Sequence, residues 1–200
     1  MAKLCKPYAN AQPNHVFQRF GVVQPAASQG VSGSTTHTGV DMAFYKCYGT
    51  FLVAPEDSVV VNVITPTTYL LDTSKEVLRG YGVMLKSSLR ENTFFLYWHC
   101  LPVFPVSVGQ NVKQGEIVAQ MGNSGFILSS FTGGLVPIEL RNTPPYFGTH
   151  VHYEMFKEVN GQRVYQDPLL ETDWMITIKL NFLQATQQIL QKMINLLGTR

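Results

Sequence analysis

Short apolar runs separated by polar, glycine-containing turns make up most of the chain before residue 170. The clearest runs are residues 51–54, 59–64, 82–86, 93–99 and 116–121. Each is rich in β-branched or aromatic residues and is bounded by turn-forming residues, which is typical of short β-strands. No part of this region shows the three- to four-residue apolar period of a helix. The pattern therefore predicts a mainly β core.

Two segments depart from this regularity. Residues 1–36 are rich in Pro, Gln, Ser, Gly and Thr and have little period, which predicts a loop-rich N-terminal segment. Residues 126–147 contain the pairs Gly133-Gly134 and Pro144-Pro145, again without a clear period. A long irregular loop of this kind is either functional or a variable surface insertion.

After Leu180 the pattern changes to that of an amphipathic helix. The apolar residues that form one broad stripe are Leu183, Ile189, Leu190, Met193, Ile194, Leu196 and Leu197. Gln and Lys residues are available for the opposite face, and Gly198 can end the helix. The chain therefore divides into a domain at residues 1–173 and a C-terminal segment at residues 174–200. The helix either packs on the domain itself or binds a second copy or another partner.

Composition and charge exclude several classes of protein. The chain is 45% hydrophobic and 14% charged, so it can bury a sizeable core. Its net charge of +2 is too small to indicate nucleic-acid binding. No stretch approaches the roughly 18 apolar residues that span a membrane, and residues 1–12 lack the apolar run of a secretory signal peptide. We therefore expect no nucleic-acid partner, no transmembrane segment and no signal peptide.

The three cysteines, Cys5, Cys47 and Cys100, are widely spaced and lack the C-x-x-C spacing of a structural zinc site. Cys100 directly follows His99, so on a strand the two side chains face opposite ways, which argues against a Cys–His nucleophilic pair. We expect three buried or unreactive thiols.

Four of the five histidines stand in settings that suit metal chemistry: His37, His99, His150 and His152. His37 and Asp41 form an H-x-x-x-D motif, and His99 ends an aromatic strand. His150 and His152 lie one residue apart, so on a strand both share a face with Glu154. A His-x-His pair alone is weak evidence, because surface histidines often occur without a metal. The co-occurrence of the three motifs is what indicates a metal site.

A catalytic zinc ion is usually held by three protein ligands, with a fourth position left to water. His37, Asp41 and one histidine of the 150/152 pair would supply three ligands of the right chemical type. His99 and the other histidine of the pair would then remain to handle protons. The residues alone do not decide which histidine of the pair is the ligand.

These motifs together resemble the lysostaphin-like (LytM-type) zinc metallo-endopeptidases, which cut peptide bonds in bacterial peptidoglycan. The resemblance runs from about Phe17 to Phe156, most of the chain. Five sequence elements of the family have matches in this chain. The H-x-G-x-D signature matches residues 37–41, and the aromatic-x-His element matches residues 97–99. The glycine turn matches residues 109–117, the G-x-[ST]-G element residues 122–125, and the H-x-H-[FY]-E element residues 150–154.

The resemblance implies a zinc metallo-endopeptidase, residues 1–173, with one zinc ion per chain. By that likeness the zinc ligands are His37, Asp41 and His152, and the two non-ligand catalytic histidines are His99 and His150. The implied fold is a two-sheet antiparallel β sandwich of the duplicated-hybrid-motif (lipoyl-related) type, to which this chain adds a C-terminal α-helix. The implied reaction is hydrolysis of peptide bonds in bacterial peptidoglycan, in the stem peptide or the cross-bridge.

A chain of this family without a signal peptide looks most like a bacteriophage product, either an endolysin or a virion-associated cell-wall hydrolase. We expect it in the virion, or in the host cytoplasm with release to the cell wall, with peptidoglycan as its partner. The C-terminal helix could hold a second copy or a virion partner. An alternative is a non-catalytic peptidoglycan-binding or structural virion module, but such domains usually lack a ligand or an active-site histidine. A swinging-arm carrier would leave the H-x-G-x-D motif without an explanation.

One segment of the chain departs from the family pattern, and two titratable residues are left without an assigned role. The segment between Gly125 and Gly148 is much longer than is typical of the family, so its substrate preference does not carry over. Glu154 lies on the same face as His152 and either supports that ligand from behind or is a solvated charge. His15 matches no motif, and we expect it at the surface.

Overall fold

The structure is a computed structural model that describes residues 3–25, 34–65, 80–127, 135–176, 178 and 182–197. Its strands are β1 (Leu4–Cys5), β2 (Val16–Gln18), β3 (Val23–Pro25), β4 (Ser34–Thr36), β5 (Val40–Met42), β6 (Phe51–Val53), β7 (Ser58–Ile64), β8 (Gly82–Ser87), β9 (Thr93–Trp98), β10 (Asn111–Val112), β11 (Ile117–Gln120), β12 (Val151–Val159), β13 (Gln162–Gln166) and β14 (Thr172–Asp173). Its α-helices are α1 (Ile138–Asn142) and α2 (Phe182–Leu197), and short 3-10 helices span Pro13–His15 and Pro168–Leu170. The protein is mainly β with a C-terminal helix, as the sequence predicts.

Within the described residues, eight strands form one antiparallel sheet in the order β10-β7-β8-β9-β12-β5-β2, with β13 also paired to β12. One edge of β12 pairs with β9, and the other edge pairs first with β5 and then with β13. This register places Asp41 of β5 and Trp98 of β9 directly opposite His152. Residues far apart in the chain therefore meet at one end of β12.

The core lies between one face of this sheet and the antiparallel ladder of β6 and β11. The sheet contributes alternate residues of its central strands, including Val83, Phe95, Tyr97 and Tyr153, because successive side chains point to opposite faces. The Tyr97 hydroxyl donates to the Val53 carbonyl oxygen at 2.9 Å, which ties β9 to β6 across the core. The two layers form the predicted sandwich of antiparallel sheets.

The opposite face of the large sheet is polar at one end and apolar at the other. Asp41, His152 and Glu154 lie at the polar end, by the alternation of β5 and β12. Next to them a second apolar cluster forms from Phe94, Leu96, Trp98 and Phe156, with partly buried neighbours such as Met84 and Tyr165. Packed aromatic side chains therefore border the polar end of this face on one side.

The described part of the predicted loop-rich N-terminal segment, residues 3–25 and 34–36, contains short strands. It contributes β1 to β4, and Leu4 and Tyr8 are fully buried in the core. β1 pairs in parallel with β14, and β2 pairs with β5. These partners are distant in sequence and the strands are two or three residues long, so no local period reveals them.

The segment at 126–147 also differs from the prediction, because it contains the helix α1. That helix is five residues long, too short to show a helical period in the sequence. Gly133-Gly134 lie outside the described residues. The predicted C-terminal helix is present as α2, and none of the described helices is long and apolar enough to cross a membrane.

Cys5, Cys47 and Cys100 are free and buried, as predicted. His15, which the sequence analysis expected at the surface, is partly buried. Its ring stacks against Phe44 and Tyr8, and its Nδ1 atom lies 3.0 Å from the Tyr8 hydroxyl. Burial lowers the pKa of His15. This histidine therefore packs at the edge of the core.

Candidate active site

The H-x-G-x-D segment leads into β5 and lies against β12. Gly39 stands so close to β12 that a Cβ atom there would come within 2.4 Å of the Tyr153 carbonyl oxygen and 3.0 Å of Glu154 Cγ. The glycine is thus required for close backbone approach, which lets His37 and Asp41 face His152. β5 begins at Val40, directly after this glycine.

Three ligand-type atoms converge at this point. His37 Nε2 lies 2.9 Å from His152 Nδ1 and 3.2 Å from Asp41 Oδ1, and His152 Nδ1 lies 2.7 Å from Asp41 Oδ1. All three residues are buried. Two imidazole nitrogens and one carboxylate oxygen are the donor set that suits catalytic zinc, and this grouping could hold a metal ion.

The second nitrogen of each of these imidazoles is held by another group. His37 Nδ1 lies 2.9 Å from the Arg19 carbonyl oxygen, and His152 Nε2 lies 3.0 Å from Glu154 Oε1. The Thr38 hydroxyl donates to the same Glu154 oxygen at 2.5 Å. Such contacts fix the orientation and tautomer of metal-binding histidines. Glu154 is fully buried, so the alternative that it is a solvated charge is wrong.

His99 and His150 lie beside this grouping, with their ring centroids 4.5 Å apart. His99 Nδ1 lies 2.7 Å from the Ser124 carbonyl oxygen, and His150 Nδ1 lies 2.8 Å from the Gly148 carbonyl oxygen. A carbonyl can only accept, so each Nδ1 carries the proton and each Nε2 keeps a lone pair. His150 Nε2 lies 4.0 Å from Asp41 Oδ1. Its lone pair is therefore at the edge of the metal-type grouping, which consists of His37, Asp41 and His152.

The backbone of His99 adopts a positive φ of 60°, directly after β9 ends. Residues other than glycine rarely adopt this conformation, and it often marks a functional position. The turn directs the His99 ring to within 6.3 Å of the His152 ring, measured between centroids. The structure thus brings together all five residues that the sequence singled out.

Asp41 and His152 each stabilise the charged form of the other. Burial acts to raise the pKa of Asp41, but the hydrogen bond and charge of His152, aided by His37, hold that pKa well below its usual value. Burial acts to lower the pKa of His152, but hydrogen bonds and charges from Asp41 and Glu154 outweigh it and raise the pKa to about 9. Without a metal, His152 is therefore a cation between two carboxylates at neutral pH.

The two flanking histidines are neutral instead. Burial lowers the pKa of His99 well below its usual value, and the neighbouring His150 and His152 lower it further. Burial also lowers the pKa of His150, although the charge of Asp41 opposes this shift. Both rings can accept a proton at neutral pH, which is the state a general base requires.

Two contributions to the site come from residues that the sequence did not reveal. Phe17, exposed on β2, contacts His150 edge-on with a centroid distance of 5.6 Å and an interplanar angle of 78°. Arg19 supplies the carbonyl group next to His37. A backbone carbonyl leaves no mark in the residue type, and Phe17 has no motif around it, so neither could be found from sequence.

A β fold that carries a buried His/Asp/His grouping beside two neutral histidines defines a candidate metal-dependent hydrolase. Comparison with known protein families matches residues 35–168 to peptidase family M23, which is about two thirds of the chain. The chain belongs to this family. Its members are zinc-dependent peptidoglycan endopeptidases of the LytM and lysostaphin type, although some are inactive.

Solved structures show the same fold. LytU is 22% identical with a TM-score of 0.52, and the match covers 82% of this chain and 87% of that chain. The catalytic domain of the antimicrobial peptidase lysostaphin from Staphylococcus simulans is 19% identical with a TM-score of 0.53, covering 82% of this chain and 97% of that chain. A chain of the SpoIIQ–SpoIIIAH pore forming complex is 17% identical with a TM-score of 0.54, covering 86% and 92%. No curated protein sequence matches significantly.

Proposed function

We propose that this protein is a zinc-dependent endopeptidase that hydrolyses peptide bonds in bacterial peptidoglycan, in the stem peptide or the cross-bridge. The observation that carries the proposal is the convergence of His37 Nε2, Asp41 Oδ1 and His152 Nδ1 within 3.2 Å of one another. Membership of peptidase family M23 supports both the reaction and the substrate class.

The three ligand atoms fit one zinc ion by chemistry and by orientation. Each imidazole already uses its other nitrogen, with Arg19 behind His37 and Glu154 behind His152, so the inward nitrogens remain for the metal. When bound there, zinc would supply the Lewis acidity that polarises the scissile carbonyl and acidifies water. The charge of Asp41 is secured by its lowered pKa.

His99 and His150 are proposed as the two proton carriers. Hydrolysis of an amide requires a base for the attacking water, stabilisation of the developing oxyanion and a proton for the departing amine. Both rings present an Nε2 lone pair beside the metal-type grouping, because both Nδ1 atoms donate to backbone carbonyls. One ring accepts the proton of the attacking water at its Nε2 atom. That proton then passes to the other ring, which donates it towards the oxyanion or the departing amine as the peptide bond breaks.

Burial makes these two rings effective in that role. Their lowered pKa values keep them neutral before the reaction and make them ready to release a proton that they have accepted. Their centroids lie 4.5 Å apart, so both reach the same reacting group. The alternative of a non-catalytic module is disfavoured, because all three proposed ligands are present and His99 and His150 lie beside them.

The experiment that tests this proposal compares purified cell walls of several cross-link types. The zinc-loaded protein is incubated with each wall, and new amino termini and released fragments are identified by mass spectrometry. We expect cleavage at one class of peptide bond, and no cleavage by Asp41→Ala. A protein that holds one zinc per chain yet releases no new amino terminus from any wall would refute the endopeptidase.

A setting as a phage endolysin or virion-associated hydrolase, in the virion or in the host cytoplasm, stays a prediction from the sequence. The division at residues 173 and 174 likewise stays a prediction.

A further inference from the structure

Arg141 is a buried cation within the 126–147 segment and has no role in the proposed chemistry. Only 3% of the residue is exposed. Its Nε donates to the Val136 carbonyl oxygen at 2.8 Å, and its Nη1 donates to the Gly125 carbonyl oxygen at 2.5 Å. Burying a guanidinium is costly unless its donors are satisfied, so these bonds hold both carbonyls firmly. Arg141 therefore joins the 126–147 segment to the end of the Gly122–Gly125 turn.

Asn123 makes a second connection between the same two segments. Its side-chain Nδ2 donates to the Arg141 carbonyl oxygen at 3.0 Å and to the Phe147 carbonyl oxygen at 3.1 Å. The side chain of Arg141 thus binds the turn, and a side chain of the turn binds the backbone of Arg141. This reciprocal arrangement restrains the turn and Phe147 together.

The Gly122–Gly125 turn contacts both proposed proton carriers. The amide of Gly122 donates to the His99 carbonyl oxygen at 3.0 Å, and the amide of His150 donates to the Gly122 carbonyl oxygen at 3.1 Å. The Ser124 carbonyl oxygen accepts from His99 Nδ1. In the sequence Ser124 stands between Asn123 and Gly125, the two residues that bind Arg141. Any displacement of the turn would therefore move the acceptor that orients the His99 ring.

The carbonyl that orients His150 is restrained in the same way. It belongs to Gly148. Gly148 directly follows Phe147, whose carbonyl oxygen is one of the two that accept from Asn123. Gly148 also leaves no space, since a Cβ atom there would come within 2.5 Å of Ile127 Cγ2. On the other side of the turn, a Cβ atom on Gly80 would come within 2.5 Å of the Gly125 nitrogen. Such close packing transmits strain rather than absorbing it.

We propose that Arg141 is a positioning residue: through Gly125 and Asn123 it fixes the carbonyl groups of Ser124 and Gly148, and so directs His99 and His150 towards the metal-type grouping. The described part of this segment, residues 135–147, is then a scaffold for the two histidines rather than a variable surface insertion. The inference rests on the proposed function, because only there do the two rings act as proton carriers.

The test compares Arg141→Met, which keeps the apolar stem and removes the donors, with Arg141→Lys, which restores one donor. We expect Arg141→Met to lower kcat about 10- to 100-fold, because small misplacements of catalytic groups have effects of this size. Zinc content and KM should change little, and Arg141→Lys should recover part of kcat. Unchanged kcat in Arg141→Met would overturn the proposal.

A spectroscopic measurement is independent of activity. Two-bond ¹H–¹⁵N spectra of the histidine rings report which nitrogen carries the proton. In the wild-type protein His99 should be protonated on Nδ1 only, and in Arg141→Met it should become a mixture of tautomers. If Arg141→Met does not fold, Asn123→Ala supplies the same test, because it removes the bonds from Asn123 to the Arg141 and Phe147 carbonyl oxygens. A His99 tautomer that is unchanged in a folded variant would overturn the proposal even if the wild-type protein cleaved no peptidoglycan.

Arg90→Met is the matched control. Only 7% of the Arg90 side chain is exposed, and its Nε lies 2.9 Å from Glu56 Oε2 in an ion pair. This substitution should lower thermal stability without changing kcat or the His99 tautomer. If Arg90→Met and Arg141→Met reduced kcat equally, Arg141 would have only a general structural role and the proposal would be wrong.

Discussion

His37 Nε2 lies 2.9 Å from His152 Nδ1, although 115 residues separate the two histidines in the chain. Two imidazole nitrogens at this distance repel each other unless a proton or a cation lies between them. Asp41 and Glu154 raise the pKa of His152 to about 9, so this ring keeps a proton at neutral pH when no metal is bound. A metal ion bound by the same two nitrogens must replace that proton.

The first prediction concerns metal content. Purified protein should bind about one zinc ion per chain. His37→Ala, Asp41→Ala and His152→Ala should each remove most of it, because each deletes one of three ligands. Elemental analysis after dialysis measures this. His99→Ala and His15→Ala are controls that should retain the metal, and full retention in all three ligand variants would contradict the assignment.

The second prediction is that zinc binding releases a proton. His152 has a pKa of about 9 in the metal-free site, so below that pH zinc must displace a proton from it. Zinc affinity should therefore rise by up to about tenfold per pH unit below this value and level off above it. Asp41 adds no such dependence near neutral pH, because its pKa is lowered. Calorimetry in buffers of different ionisation enthalpy counts the protons released, and a count of zero at pH 7 would contradict the prediction.

The third prediction concerns Glu154, which contacts His152 Nε2 at 3.0 Å. Glu154→Gln should weaken zinc binding about 10- to 100-fold, because the carboxylate raises the basicity of the ligand and fixes its orientation. Competition with a chelator gives the dissociation constant. Glu158→Gln is the control, since Glu158 lies on the same strand but is exposed. If the two variants bound zinc with equal affinity, Glu154 would have no role in zinc binding.

The fourth prediction separates proton transfer from metal binding. His99→Ala and His150→Ala should each lower kcat on the order of 100-fold or more while zinc content and thermal stability stay close to wild type. Steady-state kinetics on a soluble peptide substrate measures this. A variant that keeps its zinc and near-normal turnover would exclude that histidine from the mechanism.

The fifth prediction concerns α2. Leu190, Met193 and Ile194 are exposed, whereas Lys192 turns to the body of the protein and donates to the Val106 carbonyl oxygen. We expect this helix to mediate assembly or attachment rather than chemistry, because an exposed apolar stripe favours a partner.

Deletion of residues 182–200 should leave turnover on a soluble peptide nearly unchanged and should alter oligomeric state or binding to cell walls. Light scattering and wall sedimentation measure these properties. The deletion begins after Trp174, Ile176 and Ile178, because these residues pack against the folded domain. Loss of peptide turnover in a folded, zinc-loaded deletion variant would contradict the prediction.

Much of the site chemistry could be read from the sequence. Apolar alternation gives the strands, and on β12 it correctly places Glu154 beside His152. Residue type and spacing also identify the H-x-G-x-D and H-x-H motifs. These features are local, because the period of a strand and the chemistry of a side chain do not depend on distant residues.

The sequence by itself therefore determined a mainly β fold and the five residues at its candidate site. Only the tertiary structure decided how they meet, because the register of β5 against β12 sets Asp41 opposite His152. It also decided which nitrogen faces inward in His37, His99 and His150, through the carbonyl groups of Arg19, Ser124 and Gly148. Every residue has a carbonyl group, so only the folded backbone determines which of them a histidine meets.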